Sequence, residues 1–317
     1  MSVSGVARPT GGVHVADRLA AIVAERESQL VLGLDPDPAR LWPAAVDAAE
    51  GATAAHRAAT AIAAHCRAVI DAVGDAIVGV KPQVACFERL GAPGWDALAA
   101  TVDHARAAGL FVLADAKRGD IDVTATAYAQ GLIGATPGLD GEPIPGLGAD
   151  AMTVAPYMGA DTLRSFAAVG RDHGAGLFVL IRTSNPGAAD VEDAELVAGG
   201  TVWHRVAGLT AELGAEHLAP DSGLSDVGAV LGATHPEHLA RARELLPHAI
   251  FLLPGVGAQG GRVEDLAPAF APHPAAGLVT ASRSLVRAHE APGAPSEPAT
   301  AARAEAERLR TAAWALR

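Results

Sequence analysis

The sequence predicts an α/β fold, a (β/α)8 TIM barrel with extra loops and a C-terminal helix, on three observations. Eight short apolar runs alternate with Ala-rich segments of helical spacing. Each run is nearly continuous in apolar residues, as parallel strands buried on both faces require. No G-x-G-x-x-G follows the first run, which argues against the competing doubly wound sheet. Length agrees, since 317 residues with 50% hydrophobic content accommodate one barrel of ~250 residues and its extensions.

Taken in order, the strands are expected at residues 29–35 (QLVLGLD), 77–83 (IVGVKPQ), 111–117 (FVLADAK), 151–157 (AMTVAPY), 176–184 (GLFVLIRTS), 227–234 (VGAVLGAT), 250–257 (IFLLPGVG) and 277–284 (GLVTASRS). Helical spacing marks 52–73, 95–108, 123–133 and 236–246. Two connections exceed what a minimal barrel needs. Residues 132–150 form a Gly/Pro-rich excursion, and 185–226, with the acidic run VEDAE, have room for a lid and a helix. The chain is thus read as a catalytic barrel domain over 1–290, followed by 291–317. That last part is a Pro/Ala linker and an Ala/Glu/Arg helix whose Leu309 and Trp314 suit docking on the barrel or a partner subunit.

A net charge of −12 argues against binding nucleic acid or an anionic membrane, while leaving room for a local cationic pocket that takes one phosphate. The first twenty residues lack the apolar core of a signal peptide, and no run approaches the ~20 apolar residues of a membrane span. Two cysteines, Cys66 and Cys86, are too few for a disulfide framework or a zinc site, so a reducing cytoplasm is the expected location.

Lysine usage carries the chemical signal. Of 24 cationic residues only Lys81 and Lys117 are lysine, so arginine serves wherever a positive charge suffices. A lysine ammonium is a compact charge that can give up its proton, which a guanidinium cannot, and proton transfer is therefore the first expectation. Asp115 stands two residues before Lys117, on the same face of a strand. Gly119 is expected to supply conformational freedom for a turn. Asp120, Asp122 and Thr124 then crowd a helix start, completing D-x-K-x-x-D-I. An aspartate at a helix start is ordinarily a cap, and an Asp/Lys pair ordinarily a surface ion pair. The scarcity of lysine and the apolar run before it weigh against those readings here.

Barrel chemistry sits at the C-terminal ends of the strands. The polar residues closing the runs therefore make one ring: Asp35, Lys81, Asp115 with Lys117, Tyr157, Ser184, Thr234, Gln259 and Arg283. Carboxylates among the ammonium groups keep lysine charged, which makes Lys117 a proton donor rather than a Schiff-base nucleophile. With no His/Cys cluster and no H-E-x-x-H spacing, the ring requires no metal. The Gly-rich loop PGVGAQGGR at 254–262, together with Arg283 on the last strand, makes an anion site where barrels commonly bind phosphate.

The strand ending at Lys81, D-A-K-R-G-D-I, R-T-S-N-P-G and the P-G-V-G-A-Q-G-G loop together resemble the orotidine 5′-phosphate decarboxylase family in its longer bacterial variety, over about residues 32–285. The resemblance implies cofactor-free decarboxylation of orotidylate to uridylate, the last step of de novo pyrimidine synthesis, in a homodimer with shared active sites. It implies a catalytic tetrad of Lys81, Asp115, Lys117 and Asp120, the last reaching the neighbouring subunit's site. Substrate binding falls to Asp35, Ile121, Thr124, Ser184, Gln259 and Arg283. Among these, Asp35 and Thr124 would hold the ribose, Ser184 the pyrimidine, and Gln259 and Arg283 the 5′-phosphate. Ser282 departs from the glycine of many shorter members. Two other readings are a Mg²⁺-dependent sugar-phosphate enzyme of the same superfamily, which would carry an acid in place of Lys81, and a silent phosphate-binding barrel, expected to have lost Lys117 or Asp115.

Overall fold

The computed structural model describes residues 12–257 and 260–317. Its strands are β1 (Leu30–Leu34), β2 (Gly79–Pro82), β3 (Phe111–Arg118), β4 (Ala135–Pro137), β5 (Pro143–Pro145), β6 (Ala151–Val154), β7 (Gly176–Arg182), β8 (Val227–Leu231), β9 (Phe251–Leu253) and β10 (Gly277–Ala281). Eight of them close into a parallel barrel in the order β1-β10-β9-β8-β7-β6-β3-β2, the expected TIM architecture. β4 and β5 pair only with each other, as an antiparallel hairpin inside the Gly/Pro-rich excursion.

Strand periodicity divides the side chains between two cores. Leu30, Leu32, Val112, Ala114, Met152 and Val279 face outward against the helices. Val31, Leu113, Phe178, Val230, Leu252 and Leu278 fill the barrel. The helix Val15–Arg26, which the sequence pattern did not reveal, packs Leu19 and Val23 onto this inner cluster and plugs the N-terminal end of the barrel.

The strands stop two to four residues short of several expected ends, because Pro, Gly and polar side chains there leave the ladder and turn toward the open end. Outer helices include Ala54–Val73, Ala92–Ala107, Asp122–Ile133 and Glu237–Leu245, close to the expected positions. Residues Val263–Phe270 form only a 3₁₀ segment, with Pro268 inside it. The helix Pro298–Trp314 starts with Pro298 in its first turn and its cap Glu297 accepting from the Ala299 and Thr300 amides. It packs between Ala54–Val73 and Val263–Phe270, where a barrel's eighth helix belongs, with Ala302, Ala306, Leu309 and Ala313 buried. No helix among the described residues is long and apolar enough to cross a membrane.

Candidate active site

The inward-facing series of each strand continues past the apolar core into polar residues at the open end. On β3, Phe111 and Leu113 fill the barrel and Asp115 is the next residue on that face. Lys81 follows Gly79 on β2 in the same way, as Thr153 follows Ala151 on β6. These three line a cavity of about 290 Å³ with Asp35, Lys117, Ser184 and Arg283, above a floor of Leu180, Val230 and Leu252.

Asp115 is the electrostatic centre. Its Oδ2 accepts from Lys81 Nζ at 2.6 Å and from Gln83 Nε2 at 3.1 Å. Its Oδ1 accepts from Lys117 Nζ at 2.6 Å and from Thr153 Oγ1 at 2.9 Å. Burial alone would raise the Asp115 pKa, but Lys81 and Lys117 outweigh it and hold this carboxyl well below its usual range. Burial likewise works against the Lys81 ammonium, yet the Asp115 and Asp35 carboxylates prevail and raise its pKa. The two ammonium groups differ in access, the side chain of Lys81 being 7% exposed and that of Lys117 45%.

Lys117 reaches Asp115 through an irregularity. In the β3–β6 ladder Ala114 pairs with Met152 and Arg118 with Val154, so residues 115–117 oppose Thr153 alone. The Thr153 hydroxyl accepts from the Lys117 amide at 2.9 Å while donating to Asp115. Lys117 itself has φ 47°, a left-handed conformation that non-glycine residues seldom adopt. The expected role of Gly119 needs correction, since positive φ falls on Lys117 and Asp122 instead. Gly119 matters for space: a Cβ there would lie 3.2 Å from the Ala155 carbonyl oxygen.

Of the expected site residues, Asp35, Lys81, Asp115, Lys117, Ser184 and Arg283 come together around one cavity. Asp120, Ile121 and Thr124 do not line it. Asp120 Oδ1 accepts from the Ile121 amide at 2.8 Å, and Ile121 and Val123 beside it are 54% and 82% exposed. Gln259 lies outside the described residues. Tyr157 is 91% exposed beyond the end of β6, and Thr234 stands away from the cavity. Sequence reasoning gave no site role to Gln83, Thr153, Thr183, Asn185, Thr280 or Ser282, all of which line it. Thr153 and Thr280 each interrupt an apolar run on its inward face, a signal available from periodicity. Ser282 Oγ donates to Asp35 Oδ2 at 2.6 Å, joining the ends of β1 and β10.

Comparison with known proteins gives concordant results. Residues 28–297 match the model of the orotidine 5′-phosphate decarboxylase / HUMPS family. The chain is 41% identical over 275 residues to orotidine 5′-phosphate decarboxylase of Rhodopirellula baltica, covering 87% of this chain and 89% of the relative. It is 44% identical over 217 residues to that of Deinococcus radiodurans, covering 68% and 74%. The structure of Leishmania donovani OMP decarboxylase superposes with a TM-score of 0.70 at 29% identity, over 95% of this chain and 99% of that one.

Proposed function

The chain belongs to the orotidine 5′-phosphate decarboxylase / HUMPS family and decarboxylates orotidine 5′-phosphate to uridine 5′-phosphate in pyrimidine biosynthesis; from that premise we propose a cofactor-free mechanism in which Lys117 delivers the proton. The observation that carries it is the Asp115 carboxylate gripped by Lys81 and Lys117 at 2.6 Å each on the cavity wall. Each carboxylate oxygen accepts from an ammonium group, which holds Asp115 as the anion beside the substrate.

The C6–carboxylate bond breaks, CO₂ leaves, and the electron pair stays on C6. Preorganised positive charge stabilises that carbanion. A proton then passes from Lys117 Nζ to C6, and solvent reprotonates the amine. Lys117 is the donor because its side chain is open to the cavity, whereas Lys81 is buried and serves to hold Asp115 ionised. Asp115 adds repulsion against the substrate carboxylate, relieved as CO₂ departs. Asp35 holds the ribose, Ser184 the pyrimidine, and Arg283 with Gln259 the phosphate. Up to ~10¹⁷-fold acceleration, or ~23 kcal/mol, is asked of such a site.

The proposal extends to a cytoplasmic homodimer in which Asp120, Ile121 and Thr124 complete the partner's site. Its support is their place on a rim bearing the exposed apolar residues Ile121, Val123 and Tyr128, outside their own cavity. Purified protein given orotidylate in EDTA should lose the substrate's ultraviolet absorbance; no loss with intact, folded protein would overturn the reading. For the shared site, Lys117→Ala and Asp120→Ala are mixed under subunit exchange. Random pairing should restore about a quarter of wild-type activity, because half the dimers then carry one intact site. Exchange without recovery would place Asp120 in its own subunit's site.

A further inference from the structure

The acidic run after β7 is bonded to the strand end that carries Ser184. Arg182, the last residue of β7, is 5% exposed, a buried charge that needs a partner. Its Nε and Nη2 both donate to Asp193, at 2.9 Å each, in the two-pronged geometry that guanidinium and carboxylate share. That hydrogen bonding keeps the Asp193 carboxyl below its usual range. The neighbouring Glu192 takes the next residue: its Oε2 accepts from the Thr183 amide at 2.8 Å and its Oε1 from the Thr183 hydroxyl at 3.0 Å. The Thr183 hydroxyl also reaches Asn185 Oδ1 at 2.7 Å. Behind the clamp, the Glu192 carbonyl accepts from the amide of buried Trp203 at 2.9 Å, fixing the acidic segment to the helix Val202–Ala215.

Ser184 is confined from the opposite side as well. A Cβ on Gly232 would sit 2.9 Å from Ser184 Cα and 3.0 Å from its Cβ, so only glycine lets the two backbones approach this closely. Gly232 is tied to the same strand end, its amide donating to the Arg182 carbonyl at 2.8 Å. The backbone on which Ser184 sits is therefore held between an ionic clamp and a bare glycine, at the β7 edge of the cavity.

We propose that Glu192, Asp193 and Arg182 are positioning residues that set Ser184 against the nucleobase of the substrate, an inference that rests on the pyrimidine-reading role given to Ser184 above. Their contribution concerns the base end of the ligand, while the ribose and phosphate lie toward Asp35 and Arg283, just past the ends of β1 and β10.

The test uses Glu192→Ala, which frees the Thr183 amide and removes a 3.8 Å contact to Arg182 Nη1 but leaves that guanidinium its two bonds to Asp193, and Glu192→Gln, which keeps a neutral acceptor. Orotidylate kinetics are measured beside inhibition by ribose 5-phosphate, which lacks the base, and amide exchange is followed across residues 183–185. Glu192→Ala should lower kcat/KM about tenfold, leave the ribose 5-phosphate inhibition constant unchanged, and speed exchange at Thr183. Glu192→Gln should recover most of the loss. Equal weakening of both ligands, or kcat/KM within twofold of wild type, overturns the proposal. Wild-type protein that fails to turn over orotidylate overturns the functional reading instead, and the exchange rates still decide the clamp.

Discussion

The two ends of the barrel both rely on partly or wholly buried charge, and lysine occurs at only one of them. At the plugged end arginines close off the backbone. Arg26 donates to the Gly74, Ile77 and Ala108 carbonyls, and Arg243 to those of Leu246, Ala249, Ala269 and Ala276. Arg18 joins Asp150, whose second oxygen accepts from the Val112 amide, and Arg171 joins Asp226. At the open end the chain's two lysines flank one aspartate beside a cavity. Planar, permanently charged guanidinium groups satisfy fixed acceptors, whereas an ammonium can surrender a proton. The contrast teaches that arginine serves fixed acceptors at both ends, while lysine is kept for the cavity.

The sharpest way to break this comparison is to exchange the cations. Lys117→Arg should lower kcat by roughly three or more orders of magnitude, because the guanidinium retains its proton and displaces the reacting carbon. Binding of a non-reactive uridylate analogue should suffer much less, and Arg18→Lys at the other end should change kcat less than twofold. Turnover near wild type in Lys117→Arg would remove the proton-donor role. Next in size, Arg283→Ala should raise KM on the order of a hundredfold and also reduce kcat, since phosphate binding contributes to the transition state; an unchanged KM would put the anion site elsewhere.

A carboxylate at the plugged end should show the opposite profile. Asp150→Ala strands the Val112 amide and takes one partner from Arg18, which keeps the Gly174 carbonyl, and costs about 2 kcal/mol by urea unfolding. Its kcat and KM, per folded molecule, should match wild type; altered kinetics would mean that the two ends are coupled.

The smallest effect concerns His65, beside the cavity end of β1. Burial pushes its pKa down to about 4, and its Nδ1 accepts from the Trp42 amide at 3.1 Å. The unfolded chain takes up this proton below about pH 6.5 and the folded protein only near 4, so the stability present above 6.5 drains away across that window as pH falls. His65→Gln keeps an acceptor and should narrow the stability gap between pH 7.5 and 4.5 by about 2 kcal/mol. An unchanged gap would mean that His65 takes up its proton as readily in the folded protein as in the unfolded chain.

The legible part of the fold was its strand starts, where runs such as FVLAD are buried from the first residue. Strand ends were read too long because GVG, APY and GAT obey loop demands that an apolar count does not register. The cluster of Lys81, Asp115 and Lys117 was legible because lysine is so scarce. The partners of Thr153 and Arg182 were not, since periodicity marks a polar residue in an apolar run but does not say that Asp115 or Asp193 will meet it. Asp120, Ile121 and Thr124 were expected at the site and lie off the cavity of their own chain, a placement that residue types at a helix start do not specify.

The barrel's seam also governs how the protein comes into being. β1 pairs with β10, Leu30 against Val279, so the ring closes between segments near opposite ends of the chain. Both lysines and Asp115 belong to the first three strands, yet their shelter from water awaits β10 and the helix that packs beyond it. Synthesis from the N-terminus therefore leaves an open, hydrophobic-edged half-barrel for much of its duration. Such a topology folds late and slowly, and until the last strand docks it exposes unpaired edges to neighbouring chains.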